Sequence, residues 1–132
     1  RTPIRAKQLV EQFKKKFQKT RFSFHPMSQR KLKEALSDSD LLVNATQVGL
    51  KPSDLPLVSG SDFPKRKLLV YDLIYKPKQT KLLKLASRLG HQTVNGEAML
   101  LHQGARAFEL WMGRKAPVHE MRKALIHALY SR

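Results

Sequence analysis

A glycine turn that leads into an amphipathic stretch holds the residues best suited to bind a small molecule. Asn95-Gly96 opens this stretch, and Met99 and Gln103 follow it at a spacing of four residues. In a helix, residues four apart lie on the same face, one turn from each other. Such a face can place an apolar contact for a flat ring beside an amide that binds hydroxyl groups. An amphipathic core helix explains the stretch equally well.

Polar side chains also follow two apolar runs that are typical of strands. Asn44 and Thr46 come directly after the run 41–43, and Tyr75 follows the run 68–73. At the carboxyl ends of parallel strands, such side chains point into the crevice where ligands bind. A phenol can hydrogen-bond a hydroxy acid while its ring packs. The simpler interpretations are an Asn-x-Thr turn that caps itself and a proline turn that ends in an N-cap at Thr80.

The first residues combine guanidinium groups with a hydroxyl at the start of a helix. Arg1, Thr2 and Arg5 could bind a phosphate, because guanidinium groups match phosphate oxygens and a helix N-terminus favours anions. A solvated helix with Thr2 as its N-cap and Pro3 in its first turn explains the same residues.

Apolar periodicity and helix breakers predict alternating helices and strands. Helices are predicted at 4–17, 28–36, 80–89, 97–112 and 117–130, and strands at 21–25, 41–43, 68–73 and 92–94. The continuous apolar run 41–43 is typical of a parallel strand buried on both faces. This alternation favours an α/β fold with a doubly wound parallel sheet and helical crossovers. Phe108 and Trp111 are predicted to be core aromatics.

Composition limits the class of protein. The 132 residues are 41% hydrophobic and include no cysteine, so we expect a globular core without disulfides or thiolate chemistry. No apolar run is long enough to span a membrane, and no secretory signal is visible, so we expect a cytoplasmic protein. The five histidines lack metal-ligand spacing, so we expect no metal site, and no Gly-x-Ser-x-Gly elbow is present to indicate a nucleophilic serine.

The net charge of +16 is the feature least expected of a metabolic enzyme. Residues 1–34 carry 11 Lys/Arg against two Glu, and residues 63–92 carry eight against one Asp. Such a balance is typical of proteins with phosphate-rich partners. Solvated faces are the simpler interpretation, and Lys14–Lys16 are predicted to lie on the exposed side of the first helix.

Taken in order and at their spacing, the four clusters resemble shikimate dehydrogenases, the NADP-dependent enzymes of aromatic amino-acid biosynthesis. The matching motifs are Arg-Thr-x-x-Arg at 1–5, Asn-Ala-Thr-x-x-Gly-Leu at 44–50, Asp-x-x-Tyr-x-Pro-x-x-Thr-x-Leu-Leu at 72–83 and the stretch 95–113. The Asn that precedes Arg-Thr in the family does not stand before Arg1 here.

The resemblance implies a role for each cluster. Residues 1–94 would be a partial NADP-binding, Rossmann-like domain, and residues 95–132 would be helices that close on the substrate cleft. Cofactor contacts would come from Arg1, Thr2 and Arg5 on the 2′-phosphate, Asn44 and Thr46 on the dinucleotide, and Leu73, the Gly96 backbone and Met99 on the nicotinamide. Shikimate or 3-dehydroshikimate would be bound by Tyr75 and Gln103.

The family's catalytic Lys and Asp, its glycine-rich loop, its N-terminal substrate domain and the first strands of its sheet have no counterpart in these residues. We therefore expect a partial doubly wound sheet, no catalytic residue, and no dehydrogenase activity from the 132 residues alone. A sheet without its first strands exposes an edge and apolar faces, which further sequence or a second copy would have to cover.

A different class of function also fits the charge. A non-catalytic derivative of the fold could act as a basic module that binds RNA or a ribonucleoprotein. The retained Tyr75, Gly96, Met99 and Gln103 favour the enzyme instead, because a drifted scaffold has no physical reason to keep an amide for hydroxyl groups beside a contact for a ring. The residues expected to separate shikimate from quinate lie largely in the N-terminal domain.

Overall fold

A computed structural model describes residues 2–131. Five α-helices and three strands follow one another along the chain. Their bounds are α1 Pro3–Lys16, α2 Gln29–Ser37, β1 Leu41–Asn44, β2 Leu69–Asp72, α3 Lys81–Arg88, β3 Gln92–Val94, α4 Glu97–Met112 and α5 Val118–Tyr130. All three strands are parallel, in the order β1-β2-β3, with Leu41 opposite Leu69 and Leu69 opposite Gln92. The predicted parallel α/β sheet is confirmed.

The helix ends follow the sequence signals closely. Ser28 and Thr80 cap α2 and α3, with side-chain oxygens that accept from the N–H groups of Lys31 and Leu83. Gly90 and Gly113 follow α3 and α4 with positive φ angles of 84° and 63°, a conformation that glycine adopts without strain. Thr2 occupies the N-cap position of α1, but its side chain makes no capping hydrogen bond.

The core lies on one face of the sheet. Val70 and Leu68 are almost fully buried there, together with residues of α2, α3 and the loop before β2: Leu36, Val58, Leu82, Leu83 and Ala86. At about 25 cal/mol per Å² of apolar surface, this cluster is the main source of hydrophobic stabilisation in the fold.

The other face of the sheet is open at β1, so the expectation that this strand is buried on both faces is wrong. Leu41 and Val43 are 49% and 44% exposed, whereas Asn44 on the opposite face is buried. No residue of α1 is buried either. A parallel sheet normally has both faces covered, and β1 has the exposed apolar face expected of a sheet without its first strands.

The segment 21–25 is not a strand, which corrects a second expectation. Residues 21–28 form no regular element, and Phe22 instead stacks on Phe13 of α1, with ring centroids 5.5 Å apart. Phe17 completes this cluster. Phe22 therefore packs against a helix and does not pair in a sheet.

The connection from β1 to β2 contains no α-helix, in agreement with the sequence, which predicts no helix between the runs 41–43 and 68–73. Instead, a 3₁₀ turn at Gly60–Asp62 follows Ser59. The buried carboxylate of Asp62 accepts from the backbone N–H and the hydroxyl of Ser59, at 2.7 and 2.8 Å. Burial alone would raise the pKa of Asp62, but these hydrogen bonds outweigh it and leave the pKa lowered. This loop packs Val58 into the core in place of a crossover helix.

Phe108 and Trp111 are not core residues, contrary to expectation. Trp111 is 82% exposed, and Phe108 is only partly buried, with the guanidinium of Arg114 at 5.6 Å from its ring centroid. Both lie in the last turns of α4, a helix that contacts α5 and contributes no residue to the core cluster on the sheet. The apolar periodicity of α4 therefore continues outside that core.

Candidate ligand-binding site at the carboxyl edge of the sheet

Polar side chains from two neighbouring strands meet at the carboxyl edge of the sheet. Asn44 ends β1 and Asp72 ends β2, and the two residues are opposite each other in the register. The Asn44 amide donates to Asp72 Oδ1 at 3.0 Å, and the Leu73 N–H donates to the Asn44 carbonyl at 3.0 Å. Because the strands are parallel, their ends place the two turns that follow side by side.

The turn after β1 is held by the Asn44 side chain. Its Oδ1 accepts from the Thr46 N–H and hydroxyl at 3.1 and 2.7 Å. Its amide donates to the Val48 carbonyl as well as to Asp72. All four hydrogen bonds that an asparagine side chain can make are therefore used within the protein. The self-capping turn considered from sequence is thus present.

Thr46 has capacity left for a ligand. Its exposed hydroxyl donates to Asn44 and accepts from the Val48 N–H at 3.1 Å, which leaves one oxygen lone pair free. Further along, the carboxylate of Asp54 accepts from the N–H groups of Gly49 and Lys51, and these bonds lower its pKa. Gly49 has a φ of 115°, which only glycine adopts easily.

Asp72 connects this turn to the next segment of chain. Its Oδ1 accepts from the Ile74 N–H at 3.1 Å as well as from Asn44, and its Oδ2 accepts from the Thr80 hydroxyl at 2.6 Å. The side chains of Asp72 and Thr80 are 0% and 1% exposed. In the sequence, Asp72 stands out only as part of a motif, and Thr80 only as an N-cap. The sequence signal for the hydrogen bond between them is a carboxylate at a strand end, eight residues before a hydroxyl at a helix N-cap.

Gly96 brings the start of α4 against the segment after β2. Its N–H donates to the Ile74 carbonyl at 3.1 Å. A Cβ placed on Gly96 would lie 1.9 Å from the Leu73 carbonyl oxygen, so no other residue fits without a backbone shift. The Gly96 carbonyl already accepts from the Leu100 N–H and has one lone pair left for a ligand.

Three of the predicted contacts therefore lie around one backbone junction. Leu73 is half-buried beside Gly96, and Met99 lies one turn into α4 and is 37% exposed. Gln103 is exposed one turn further along the same helix face. The junction thus joins the segment that carries the apolar Leu73 to a helix that carries Met99 and, one turn further on, the exposed amide of Gln103.

Tyr75 lies exposed after β2, and its backbone is held by the last helix. The Tyr130 hydroxyl, at the end of α5, donates to the Tyr75 carbonyl at 3.0 Å. Burial, together with Glu97 nearby, raises the pKa of Tyr130, so this hydroxyl keeps its proton over the physiological range. The contact leaves the Tyr75 phenol, itself 38% exposed, free to meet a ligand.

Two cavities adjoin the edge. One of about 200 Å³ at the end of β1 is lined by Asn44, Thr46 and Gly49 with apolar side chains, among them Met27, Leu42, Pro56 and Leu57. Pockets that hold a whole small molecule measure about 300–1,000 Å³, so this one suits a part of a ligand. The other, an open cleft of about 730 Å³ between α3 and the end of α5, has several lysines in its wall: Lys51, Lys76, Lys78, Lys81 and Lys84.

Of the residues predicted to bind a phosphate, Thr2 and Arg5 make no hydrogen bond to this network, and Arg1 lies outside the described residues. Thr2 and Arg5 are exposed at the start of α1, and no hydrogen bond or ion pair recorded within residues 2–131 joins them to the strand ends. In the same part of the chain no group of three or more histidines or carboxylates comes together as a metal site would require. None of the helices described is long and apolar enough to cross a membrane.

Comparison with known proteins adds family evidence to this geometry. The family model described as "Shikimate 5'-dehydrogenase C-terminal domain" matches residues 96–126, beginning at the junction glycine. The shikimate dehydrogenase (NADP(+)) of Methanopyrus kandleri is 41% identical over 130 residues, which is 98% of this chain and 44% of that protein. The chain therefore spans less than half the length of this relative.

Solved structures match over nearly the whole chain as well. The shikimate 5-dehydrogenase of Listeria monocytogenes, in complex with shikimate and NAD, is 35% identical with a TM-score of 0.82, and 92% of this chain covers 43% of it. The enzyme of Thermus thermophilus, in complex with NADP(H) and shikimate, is 36% identical with a TM-score of 0.76, over 98% of this chain and 44% of that one. Both the sequence and the fold thus match one part of a longer protein.

Proposed function

The chain is homologous to the C-terminal part of the shikimate dehydrogenases, and from this premise we propose that it binds NADP and one side of the substrate in such an enzyme. The enzyme interconverts shikimate and 3-dehydroshikimate. One hydride passes between the substrate carbon and the nicotinamide, and the hydroxyl proton passes to an acid/base group. By the family resemblance, that group is a Lys/Asp pair of an N-terminal domain, which supplies the rest of the substrate site.

The observation that carries the proposal is the junction of Gly96 with Leu73 and Ile74. It holds an apolar contact, a free carbonyl lone pair and the Tyr75 phenol beside the helix that presents Met99 and Gln103. These groups are what a nicotinamide ring, its carboxamide and a hydroxylated acid would need on one side of a cleft. NADP, when bound, supplies the hydride acceptor, and these residues bind and orient it.

Individual roles follow from the hydrogen-bonding capacity that remains. Thr46 has a free lone pair for the dinucleotide, whereas Asn44 has none, so we propose that Asn44 acts on the cofactor by holding Thr46. Arg1, Thr2 and Arg5 would meet the 2′-phosphate that distinguishes NADP from NAD. We further propose that residues 1–94 form the cofactor-binding part and residues 95–132 the helices that close on the substrate.

The open face of β1 suggests where further protein would pack. Leu41 and Val43 present an apolar surface, which we propose is covered by the N-terminal part of the enzyme or by a second copy. A cytoplasmic location fits this biosynthetic function and the lack of cysteine. The alternative of an RNA-binding module has no support among the relatives named above, which are dehydrogenases.

Replacement of Gln103 with Ala in the full-length enzyme tests the substrate site. An uncharged hydrogen bond is worth about 0.5–1.5 kcal/mol, so we expect the KM for shikimate to rise roughly 2- to 12-fold. The dissociation constant of NADP should stay unchanged, because Gln103 lies a turn beyond Met99. Steady-state kinetics and a cofactor titration measure the two quantities separately.

The matched control is Met112→Ala, which removes an exposed side chain more than two turns beyond Gln103 and on the opposite side of α4. It should leave both constants at their original values. Equal KM values for the Gln103 variant and the unaltered enzyme would remove this residue from the site.

A further inference from the structure

The two strand ends are joined by one fully buried carboxylate. Asp72 is 0% exposed and makes three hydrogen bonds, to Asn44 on β1, to the Ile74 backbone and to Thr80 at the start of α3. All three partners donate, which suits a group that only accepts. Few buried side chains reach three separate segments, and those that do are expensive to leave unpaired.

Two partners of Asp72, Asn44 and Ile74, belong to segments with different proposed tasks. Asn44 holds the turn that presents Thr46, on the cofactor side. Ile74 lies between Leu73 and Tyr75, and its carbonyl receives the N–H of Gly96. A Cβ on Gly49 would lie 3.2 Å from the Ile74 side chain and 3.4 Å from that of Thr80, so the same turn also packs tightly on these partners.

Resting on the proposed function, we propose that Asp72 is a positioning residue that fixes the cofactor turn relative to the substrate segment. It touches neither ligand itself, because it is fully buried. Its carboxylate sets the separation of the Thr46 turn and the Leu73–Tyr75 segment through the bonds to Asn44 and Ile74. The two ligands are thereby held at the distance that hydride transfer requires.

This role predicts a specific kinetic signature. Each ligand keeps most of its own contacts when the connection is cut, so binding changes little. The relative placement of the ligands changes, and a shift of about 1 Å can cost roughly a hundredfold in rate. Loss of Asp72 should therefore lower kcat rather than raise KM.

The experiment compares Asp72→Ala with Asp72→Asn in the full-length enzyme, with rates expressed per NADP-binding site. We expect Asp72→Ala to lower kcat at least tenfold, with KM for shikimate and the NADP dissociation constant within about threefold of the original. Asp72→Asn should recover most of kcat, because its Oδ1 can still accept from Asn44 and Ile74. If the negative charge itself were required, Asn would be as poor as Ala.

Two further variants separate positioning from stability. Asn44→Ser keeps an oxygen that can accept from the Thr46 N–H but cannot reach Asp72, so it should lower kcat as Asp72→Ala does. It also serves if the Ala variant fails to fold. Asp62→Ala removes another buried carboxylate, 4% exposed, from the 3₁₀ turn. It should lower the melting temperature and leave kcat per site unchanged.

Hydrogen exchange of the Thr46, Val48 and Ile74 amides reports on the same connection without turnover. Exchange should be faster in Asp72→Ala than in Asp72→Asn. A folded Asp72→Ala enzyme with the original kcat, or with unchanged exchange at these amides, would overturn the inference. An unaltered enzyme that does not oxidise shikimate would contradict the proposed function alone, since the exchange rates still decide whether Asp72 joins the two segments.

Discussion

At the scale of single residues, the candidate site depends on a missing side chain and on hydrogen bonds within the protein as much as on side chains that face a ligand. Gly96 has no side chain, yet the contact between α4 and the end of β2 is possible only because of that. Asn44 has a polar side chain, yet all of its capacity is used inside the protein. A polar residue at a strand end therefore identifies the edge where a ligand binds without always binding it.

Gly96→Ala should destabilise the protein strongly. Its Cβ would lie 1.9 Å from the Leu73 carbonyl oxygen, and backbone atoms cannot move aside as the end of a flexible side chain can. We expect a large drop in melting temperature, or a folded protein whose NADP dissociation constant has risen. Thermal unfolding and a cofactor titration measure the two effects.

Gly104→Ala, two turns further along α4, is the matched control. Its Cβ would meet only the Met121 side chain, at an ordinary 3.7 Å. Alanine in a helix interior is favoured over glycine by about 0.5–1 kcal/mol, so this variant should be slightly more stable than the unaltered protein. If both alanine variants unfold at the original temperature, the close approach at Gly96 is wrong.

At the scale of helices and strands, the N-cap of α3 is more than a local signal. Thr80 accepts from the Leu83 N–H and donates to Asp72, and it is almost fully buried. Ser28 makes only the capping bond of α2, on the surface. A capping hydroxyl at two helix starts thus contributes to quite different networks.

Thr80→Ala should therefore lower the free energy of unfolding more than Ser28→Ala does. Loss of a cap costs about 1 kcal/mol in either case. The Thr80 variant also leaves a buried oxygen of Asp72 without its donor, at about 1–3 kcal/mol more. Denaturant unfolding of both variants measures the difference, and equal losses would mean that the bond between Thr80 and Asp72 contributes nothing.

Local signals predicted most of these elements, and long-range packing decided those that were missed. Ser28, Thr80, Gly90 and Gly113 mark helix ends through their own backbone and side-chain chemistry, so their positions can be predicted from sequence. The pattern at 21–25 could not distinguish a strand from a coil segment whose Phe22 packs on α1. The open face of β1 depends on what else covers the sheet, which no local pattern contains.

In the candidate site, too, local sequence signals predicted some features and long-range packing decided the others. The motifs located the two strand ends and the start of α4, because Asn, Asp, Tyr and Gly at such positions have recognisable chemistry. They did not reveal that Asn44 has no free hydrogen-bonding group, or that Asp72 binds three segments, since both facts depend on the register of β1 against β2.

At the scale of the whole molecule, the net charge of +16 has two possible uses. Basic residues line the open cleft beside α3 and lie along α1, where Lys14–Lys16 are exposed, as most of that helix is. A strongly positive surface attracts anionic ligands in general. Selection of NADP over NAD instead requires a few charges at one place, which the start of α1 offers.

Replacement of Arg1 and Arg5 with Gln in the full-length enzyme separates these uses. A hydrogen bond to a charged group is worth about 1.5–3 kcal/mol, so loss of one such bond should weaken NADP binding roughly 10- to 150-fold. NAD lacks the 2′-phosphate, and its dissociation constant should hardly change.

The matched control, Lys15→Gln with Lys16→Gln, removes two charges from the other end of the same helix and should leave the preference for NADP intact. Lys14 is left in place because it pairs with Glu11 at 3.0 Å. Titration of each variant with both cofactors and with a single-stranded RNA gives the answer. If the lysine pair abolishes RNA binding while the arginine pair leaves cofactor preference untouched, the basic surface serves a nucleic acid and the phosphate role of Arg1 and Arg5 is wrong.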